Sequence, residues 1–149
     1  MDIDEIKQSR ITDFCDRNNI GLFIIFGSHA KARVRPHSDI DIAIALEEQK
    51  SDVDKLHLIF ELEGIFQEQV DLVILKPTTD PLLRFEVFST GKPLFMSNSQ
   101  LFEESKLQAW KAYLDTEKIR ELRREYVKNH IRKLRDDFGS VHSEKRTAY

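Results

Sequence analysis

The 149-residue sequence predicts an α+β fold followed by a helical C-terminal extension. Over residues 1–98, short runs of β-branched and aromatic residues alternate with segments of helical periodicity. From residue 99 onward, the apolar residues recur almost only at helical spacings of three and four. The composition, 40% apolar and 33% charged, is that of an ordinary globular protein. We therefore divide the chain into a domain over residues 1–98 and an extension over residues 99–149, which could bind a partner.

The first helix and the first strand lie close to the N-terminus. Asp2 and Glu5 have the spacing of a capping box, and the helical pattern that follows them ends at residues 18–21. Residues 22–26, LFIIF, are too few for a helix and are flanked by glycines. This run therefore predicts a strand.

The second strand has the clearest pattern in the sequence. Residues 39–46, DIDIAIAL, alternate strictly, and alternation in a strand places every second side chain on the same face. One face is therefore uniformly apolar, and it carries Ile40, Ile42, Ile44 and Leu46.

Further elements follow before residue 99. Ser51, with Asp54 three residues later, predicts the start of a second helix, and residues 70–75, VDLVIL, predict a third strand. Asp80-Pro81 predicts a short helix, because proline is favoured at the first helical position. Residues 92–96 fit either an edge strand or an extended link.

Composition and patterning also exclude several classes of protein. The longest apolar runs are five residues, whereas a membrane-spanning helix needs about 20. Cys15 is the single cysteine, so no disulfide can form within the chain. The first residues are acidic, unlike the basic start of a secretory signal, so we expect a cytoplasmic protein without membrane contact.

The C-terminal extension is basic and carries a long apolar stripe. Residues 99–149 hold 12 lysines and arginines against 9 acidic residues, but a solvated helix face is the commoner interpretation, so we expect no nucleic-acid partner. The stripe is predicted to fold back on the sheet as core, with a docking surface as the alternative. Its members are Leu107, Trp110, Leu114, Ile119, Leu122, Tyr126, Val127, Ile131, Leu134 and Phe138.

Acidic residues interrupt two of the predicted strands. Asp39 and Asp41 are two positions apart and therefore share one face, and Asp71 is the single charged residue of the third strand. Carboxylates that lie close together repel unless a cation neutralises them. Magnesium suits such a cluster, because it binds carboxylate and phosphate oxygens, and two ions held roughly 4 Å apart can assist a displacement at phosphorus.

Gly27 and Ser28 provide a candidate phosphate-binding turn. They follow the first strand directly, where a glycine lets the backbone approach a ligand and free amides can face an anion. Residues 29–34 could add the N-terminus of a short helix. Ten residues separate Ser28 from Asp39, a spacing that would rarely arise by chance together with the Asp-x-Asp pair.

The segment from Gly27 to Ile44, GSHAKARVRPHSDIDIAI, resembles the GS-x10-DxD signature of polymerase-beta-like nucleotidyltransferases. It is most similar to the minimal nucleotidyltransferase (MNT) domains that are paired with HEPN toxins in prokaryotic toxin-antitoxin systems. The strand carrying Asp71 resembles the strand that bears their third acid. Ala32 departs from the pattern, since these domains often have glycine there.

The resemblance implies a small mixed β-sheet flanked by helices and a magnesium-dependent enzyme. The implied reaction transfers AMP from ATP to a hydroxyl, in antitoxins of this type a tyrosine of the cognate HEPN toxin, which would form a hetero-oligomer with this chain. Asp39, Asp41 and Asp71 are implied as catalytic residues and ligands of two Mg²⁺ ions. Gly27 and Ser28 are implied to hold the β and γ phosphates of ATP.

Two alternative functions stay open from the sequence. The chain could transfer a nucleotide to a small hydroxylated molecule such as an aminoglycoside, although such enzymes usually carry a larger substrate-binding domain. It could also be a non-catalytic antitoxin that neutralises its partner by binding alone through the C-terminal helix. The presence of all three acids favours catalysis.

Overall fold

The computed structural model describes residues 3–27, 39–48 and 52–146, without the side chains of Lys118 and residues 140–146. The chain forms two compact units, Met1–Lys111 and Ala112–Tyr149. Its elements follow in the order α1 (Glu5–Arg17), β1 (Ile20–Phe26), β2 (Ile40–Leu46), α2 (Lys55–Phe66), β3 (Val70–Ile74), α3 (Pro81–Thr90), β4 (Lys92–Met96) and α4 (Ser99–Arg146).

Aspartates cap three of the helices. Asp4 caps α1 by accepting a hydrogen bond of 2.7 Å from a backbone N–H of the first turn, and Asp54 caps α2 with a bond of 3.1 Å. The predicted caps Asp2 and Ser51 are therefore wrong: the helices begin two and three residues later, and Asp2 and Ser51 themselves lie outside the described residues. Asp80 caps α3 as predicted, with proline at its first position. An aspartate carboxylate stabilises a helix start because it satisfies a free N–H and interacts favourably with the helix dipole.

The four strands form one mixed sheet in the order β3-β2-β1-β4. β2 pairs with β3 in parallel, whereas β1 pairs with β2 and with β4 antiparallel. The predicted small mixed sheet is therefore confirmed. Residues Lys92–Met96 are an edge strand, and the alternative of an extended link is wrong.

Apolar side chains cover both faces of the sheet. One cluster joins α1 and α2 to the face of Ile40, Ile42 and Ile44, as the alternation of β2 predicts. The opposite face carries Ala43 and packs against α3 and the beginning of α4. This second face is also the one to which the side chains of Asp41 and Asp71 belong, because alternate residues of a strand point the same way.

The C-terminal extension is helical, but its apolar stripe is not core. α4 is one helix of 48 residues, and the stripe is exposed from Leu107 onward, with Tyr126 70% exposed. The prediction that the stripe is buried is therefore wrong for these side chains, because helical periodicity does not specify what covers an apolar face. Neither α4 nor any other helix of the described ranges is apolar enough to cross a bilayer.

Candidate functional site

Strand pairing brings two of the predicted acids together at one end of the sheet. Asp41 lies between Phe26 at the end of β1 and Asp71 near the beginning of β3. Adjacent strands are about 4.8 Å apart, so the Asp41 and Asp71 side chains leave the backbone at neighbouring positions on the same face of the sheet. The parallel register therefore converts two acids that are distant in sequence into an adjacent pair.

Asp39 lies at the same end of the sheet. It is exposed and directly precedes β2, whose first residue, Ile40, donates a backbone hydrogen bond of 2.9 Å to the carbonyl oxygen of Gln69. This bond continues the pairing of β2 and β3 to the point where both strands begin. It holds the backbone next to Asp39 beside the beginning of β3.

Gly27 completes this end of the sheet with a conformation that favours glycine. Its φ is +72°, in the left-handed region, and a Cβ at this position would overlap the carboxylate of Asp41. The glycine therefore lets the turn after β1 pass directly against that acid. The predicted partner residue Ser28 and the possible short helix at residues 29–34 lie outside the described residues.

The carboxylates of Asp39, Asp41 and Asp71 offer oxygen atoms, which are the ligands that magnesium prefers. In the side-chain arrangement of the described ranges, however, no three acidic, histidine or cysteine residues form a cluster that could hold a metal ion. The backbone brings Asp41 and Asp71 together and leaves Asp39 exposed beside them. The assignment of all three as ligands therefore remains a prediction, supported by the chemistry of the carboxylates and by their shared end of the sheet.

Two contributors to this geometry were not identified from the sequence. Phe26 pairs with Asp41 on the side away from Asp71, and Gln69 accepts the hydrogen bond from Ile40. Gln69 acts through its backbone carbonyl, which every residue possesses. No sequence pattern could therefore have identified it.

Replacing Gly27 by alanine is expected to impair both the site and the fold. The left-handed backbone and the overlap with Asp41 should together cost about 1–2 kcal/mol of folding free energy, and displacement of the Asp41 carboxylate should lower, about tenfold or more, the nucleotide transfer that the resemblance implies. Thermal melting and label transfer from ATP measure the two effects. Gly64→Ala is the matched control, because Gly64 lies in α2 with open space around it and should tolerate alanine. Equal behaviour of the two variants would contradict the role assigned to Gly27.

Cys15 takes no part in this site. It is fully buried on α1, and burial, together with the charge of nearby Asp16, raises the pKa of its thiol to about 12. A thiol with such a pKa carries almost no thiolate near neutral pH, and the thiolate is the nucleophile. Cys15 is therefore a packed core residue rather than a nucleophile.

Native protein is therefore expected to resist alkylation at Cys15. At pH 8, iodoacetamide should modify the native thiol about 100-fold or more slowly than the thiol of guanidinium-unfolded protein, because burial suppresses both ionisation and access. Mass spectrometry over a time course measures the two rates. A Ser9→Cys/Cys15→Ser variant, whose thiol is exposed on the same helix, should react rapidly in both states. Rapid native modification of Cys15 would show that α1 does not protect it.

Comparisons with known proteins agree with the fold and the motif. The family model described as "Polymerase beta, Nucleotidyltransferase" matches residues 9–100. A Methanocaldococcus jannaschii protein that is named as a protein adenylyltransferase is 34% identical over 89 residues, which cover 60% of this chain and 94% of that protein. The family match, residues 9–100, spans all of the described site residues.

Solved toxin-antitoxin structures share the fold. A toxin-antitoxin structure with AMP-PNP superimposes with a TM-score of 0.70 at 24% identity, covering 80% of this chain and 97% of that one. A Shewanella oneidensis structure, described as a tri-AMPylated HEPN toxin in complex with MNT antitoxin, gives a TM-score of 0.66 at 22% identity and covers 83% and 97% of the two chains. At these identities, the superpositions show a common fold.

Proposed function

This chain belongs to the polymerase beta nucleotidyltransferase family, and we propose that it transfers AMP from ATP to a hydroxyl group, a tyrosine side chain, of a HEPN-type toxin and thereby neutralises that toxin. The observation that carries the proposal is the meeting of Gly27, Asp41 and Asp71 at one end of the sheet. This arrangement combines a close backbone turn for phosphates with a pair of carboxylates. It occurs on the fold and with the motif spacing of a nucleotidyltransferase.

Asp39, Asp41 and Asp71 are the residues that would hold Mg²⁺, with two ions as the expected number. Bound magnesium would neutralise triphosphate charge and make the acceptor hydroxyl easier to deprotonate. Two features suit this site to magnesium: the oxygen donors of the three carboxylates, and the strand register that makes Asp41 and Asp71 neighbours. Gly27 allows the turn after β1 to approach the same place, and Ser28 follows it in the predicted phosphate-binding pair.

The chemistry is a displacement at the α phosphorus of ATP. The acceptor oxygen forms a new bond to phosphorus while the bond to the bridging oxygen of pyrophosphate breaks, and pyrophosphate leaves. Asp71 would hold the metal ion nearest the acceptor and would help to take up the hydroxyl proton. Gly27 and Ser28 orient the β and γ phosphates so that the leaving group is held in place, and most of the rate enhancement would come from this positioning and from charge neutralisation.

The relatives support a protein acceptor and a toxin partner. The Methanocaldococcus relative is named as a protein adenylyltransferase, and the Shewanella complex contains an AMPylated HEPN toxin with its MNT antitoxin. The exposed stripe of α4 gives this chain an apolar surface of the kind that binds another protein. A hetero-oligomer of this chain with a HEPN-type toxin accounts for both observations.

The direct test combines the purified chain, a HEPN-type protein encoded beside it, ATP labelled on the α phosphate, and magnesium. We expect label on the toxin and loss of the toxin's activity, and mass spectrometry should locate an added AMP on tyrosine. Omission of magnesium or addition of a chelator should stop the transfer. Label that appears only on a small hydroxylated acceptor would instead support the alternative transferase function.

A binding-only antitoxin is the second candidate, favoured by the exposed stripe of α4. It predicts that an Asp41→Asn variant neutralises the toxin as well as the natural chain does. Toxin activity measured with stoichiometric Asp41→Asn protein, with and without ATP, separates the two functions. Neutralisation that requires both ATP and Asp41 supports the transferase.

A further inference from the structure

A pocket lies where β2 and β3 end, at the opposite end of these strands from the acids. Ala45 and Leu75 contribute to its apolar part, α3 contributes Arg84, and the first turns of α4 contribute Ser105 and Gln108. The polar part of the pocket consists of Lys76, which follows β3, together with Arg84, Ser105 and Gln108. We name this cavity the cationic pocket. Its volume is about 290 Å³, large enough to admit side chains of another protein.

The charges of the cationic pocket are not balanced within the described chain. No carboxylate lines the cavity, and the ion pairs among the described residues involve neither the Arg84 guanidinium nor the Lys76 ammonium. The side chains of Ser105 and Gln108 also make no hydrogen bond to the described residues. Two cations and two further donors that have no partner among the described residues are suited to an anionic oxygen group, for which charge-assisted hydrogen bonds are the strongest kind.

The position of the pocket argues against the phosphates of ATP as this anion. Leu75 is four residues beyond Asp71 along the same strand direction, which corresponds to about 13 Å. The proposed phosphate turn at Gly27 follows β1, which lies on the other side of β2 from β3. A triphosphate held at Gly27 with its α phosphate at the acids would therefore lie on the side of β2 away from β3, which favours the acceptor as the source of the anion.

The surroundings of the pocket have the composition of a protein interface. Leu82 on α3 and Leu107 and Trp110 on α4 are exposed, and the Trp110 ring packs edge-on against Phe85, next to Arg84, with 5.2 Å between ring centroids. Tryptophan and arginine are enriched among the residues that dominate binding energy in interfaces. An anion that arrives as part of a protein would gain apolar contacts here, whereas a free small anion would not.

We infer that the cationic pocket binds an acidic side chain of the acceptor protein, with Arg84 and Lys76 as residues that determine acceptor specificity. The inference rests on the proposed protein adenylyltransferase function and deepens it. The carboxylate would bind about 13 Å along the sheet from Asp71. Arg84 and Lys76 would thus orient the acceptor without touching the reacting atoms.

The test is the double variant Arg84→Gln/Lys76→Gln of the full chain, with the HEPN-type protein as acceptor. We expect the KM for the acceptor to rise about tenfold or more, since two charge-assisted contacts are lost. The kcat at saturating acceptor and the calorimetric affinity for ATP should stay unchanged. The salt dependence of complex formation should weaken, and Arg84→Lys should retain most of the acceptor affinity.

A matched double variant, Arg10→Gln/Lys55→Gln, removes the same charges from exposed positions on α1 and α2. This control should leave the KM for the acceptor unchanged. If its KM rises as much as that of the pocket variant, the inference is overturned, because the effect then comes from the overall charge of the chain. A fall in ATP affinity in the pocket variant would overturn it in favour of a nucleotide subsite. An unchanged acceptor KM in the pocket variant would overturn this inference and leave the proposed function standing. Absence of both transfer and complex in the natural chain would overturn the proposed function and this inference with it.

Discussion

Asn substitution at Asp39 or at Asp41 is expected to lower nucleotide transfer about 1000-fold or more while leaving the fold intact. Each change removes one negative charge from the site and weakens binding of the cations that neutralise the triphosphate. Asp39 is exposed and Asp41 is only partly buried, so neither substitution opens a cavity in the core. Label incorporation from ATP measures the activity, and circular dichroism with thermal melting measures the fold.

Asp13→Asn is the matched control for these two variants. Asp13 is an exposed acid on α1, which packs on the opposite face of the sheet, so its loss should leave transfer unchanged. Full activity of both the Asp39 and the Asp41 variants would contradict the assignment of this end of the sheet as the catalytic site. Melting of either variant at a much lower temperature than the control would assign the acids a structural role instead.

Removal of residues 118–149 is expected to abolish the complex with the protein acceptor and to lower transfer to it about 100-fold or more. The deleted segment carries most of the exposed apolar stripe, and such exposed apolar surface commonly marks a protein-binding site. The acids that we propose as catalytic all lie in the unit Met1–Lys111, so the shortened chain should still bind magnesium-ATP. Size-exclusion chromatography with the HEPN-type protein and calorimetry with ATP measure the two properties.

A variant of the exposed stripe distinguishes loss of acceptor binding from loss of the fold. Leu122→Ser/Tyr126→Ser changes two side chains that are 65% and 70% exposed, so the fold should persist while acceptor binding is lost. Glu121→Ser/Lys128→Ser alters polar positions on the same helix and should have a much smaller effect. A soluble truncated chain that still modifies the acceptor at the full rate would show that the stripe is not the docking surface.

Local sequence patterns were sufficient for most of the secondary structure and for the family of the chain. The alternation of residues 39–46 predicted β2 because strand periodicity is visible over a few neighbouring positions. Asp80-Pro81 predicted the start of α3 because a helix cap depends on adjacent residues. The ten residues between Gly27-Ser28 and Asp39-x-Asp41 carried the resemblance to nucleotidyltransferases without any knowledge of the sheet order, and the family match confirms it.

Only the tertiary structure decided which distant residues meet and which surfaces remain uncovered. The parallel register that places Asp41 beside Asp71, the edge position of β4 and the pocket that Arg84 and Lys76 both line all depend on contacts between separate segments. Periodicity predicted that the α4 stripe was apolar, but not that it is exposed. The physical reason is that side-chain periodicity is a property of one segment, whereas register, burial and pocket formation depend on the free energy of packing several segments together.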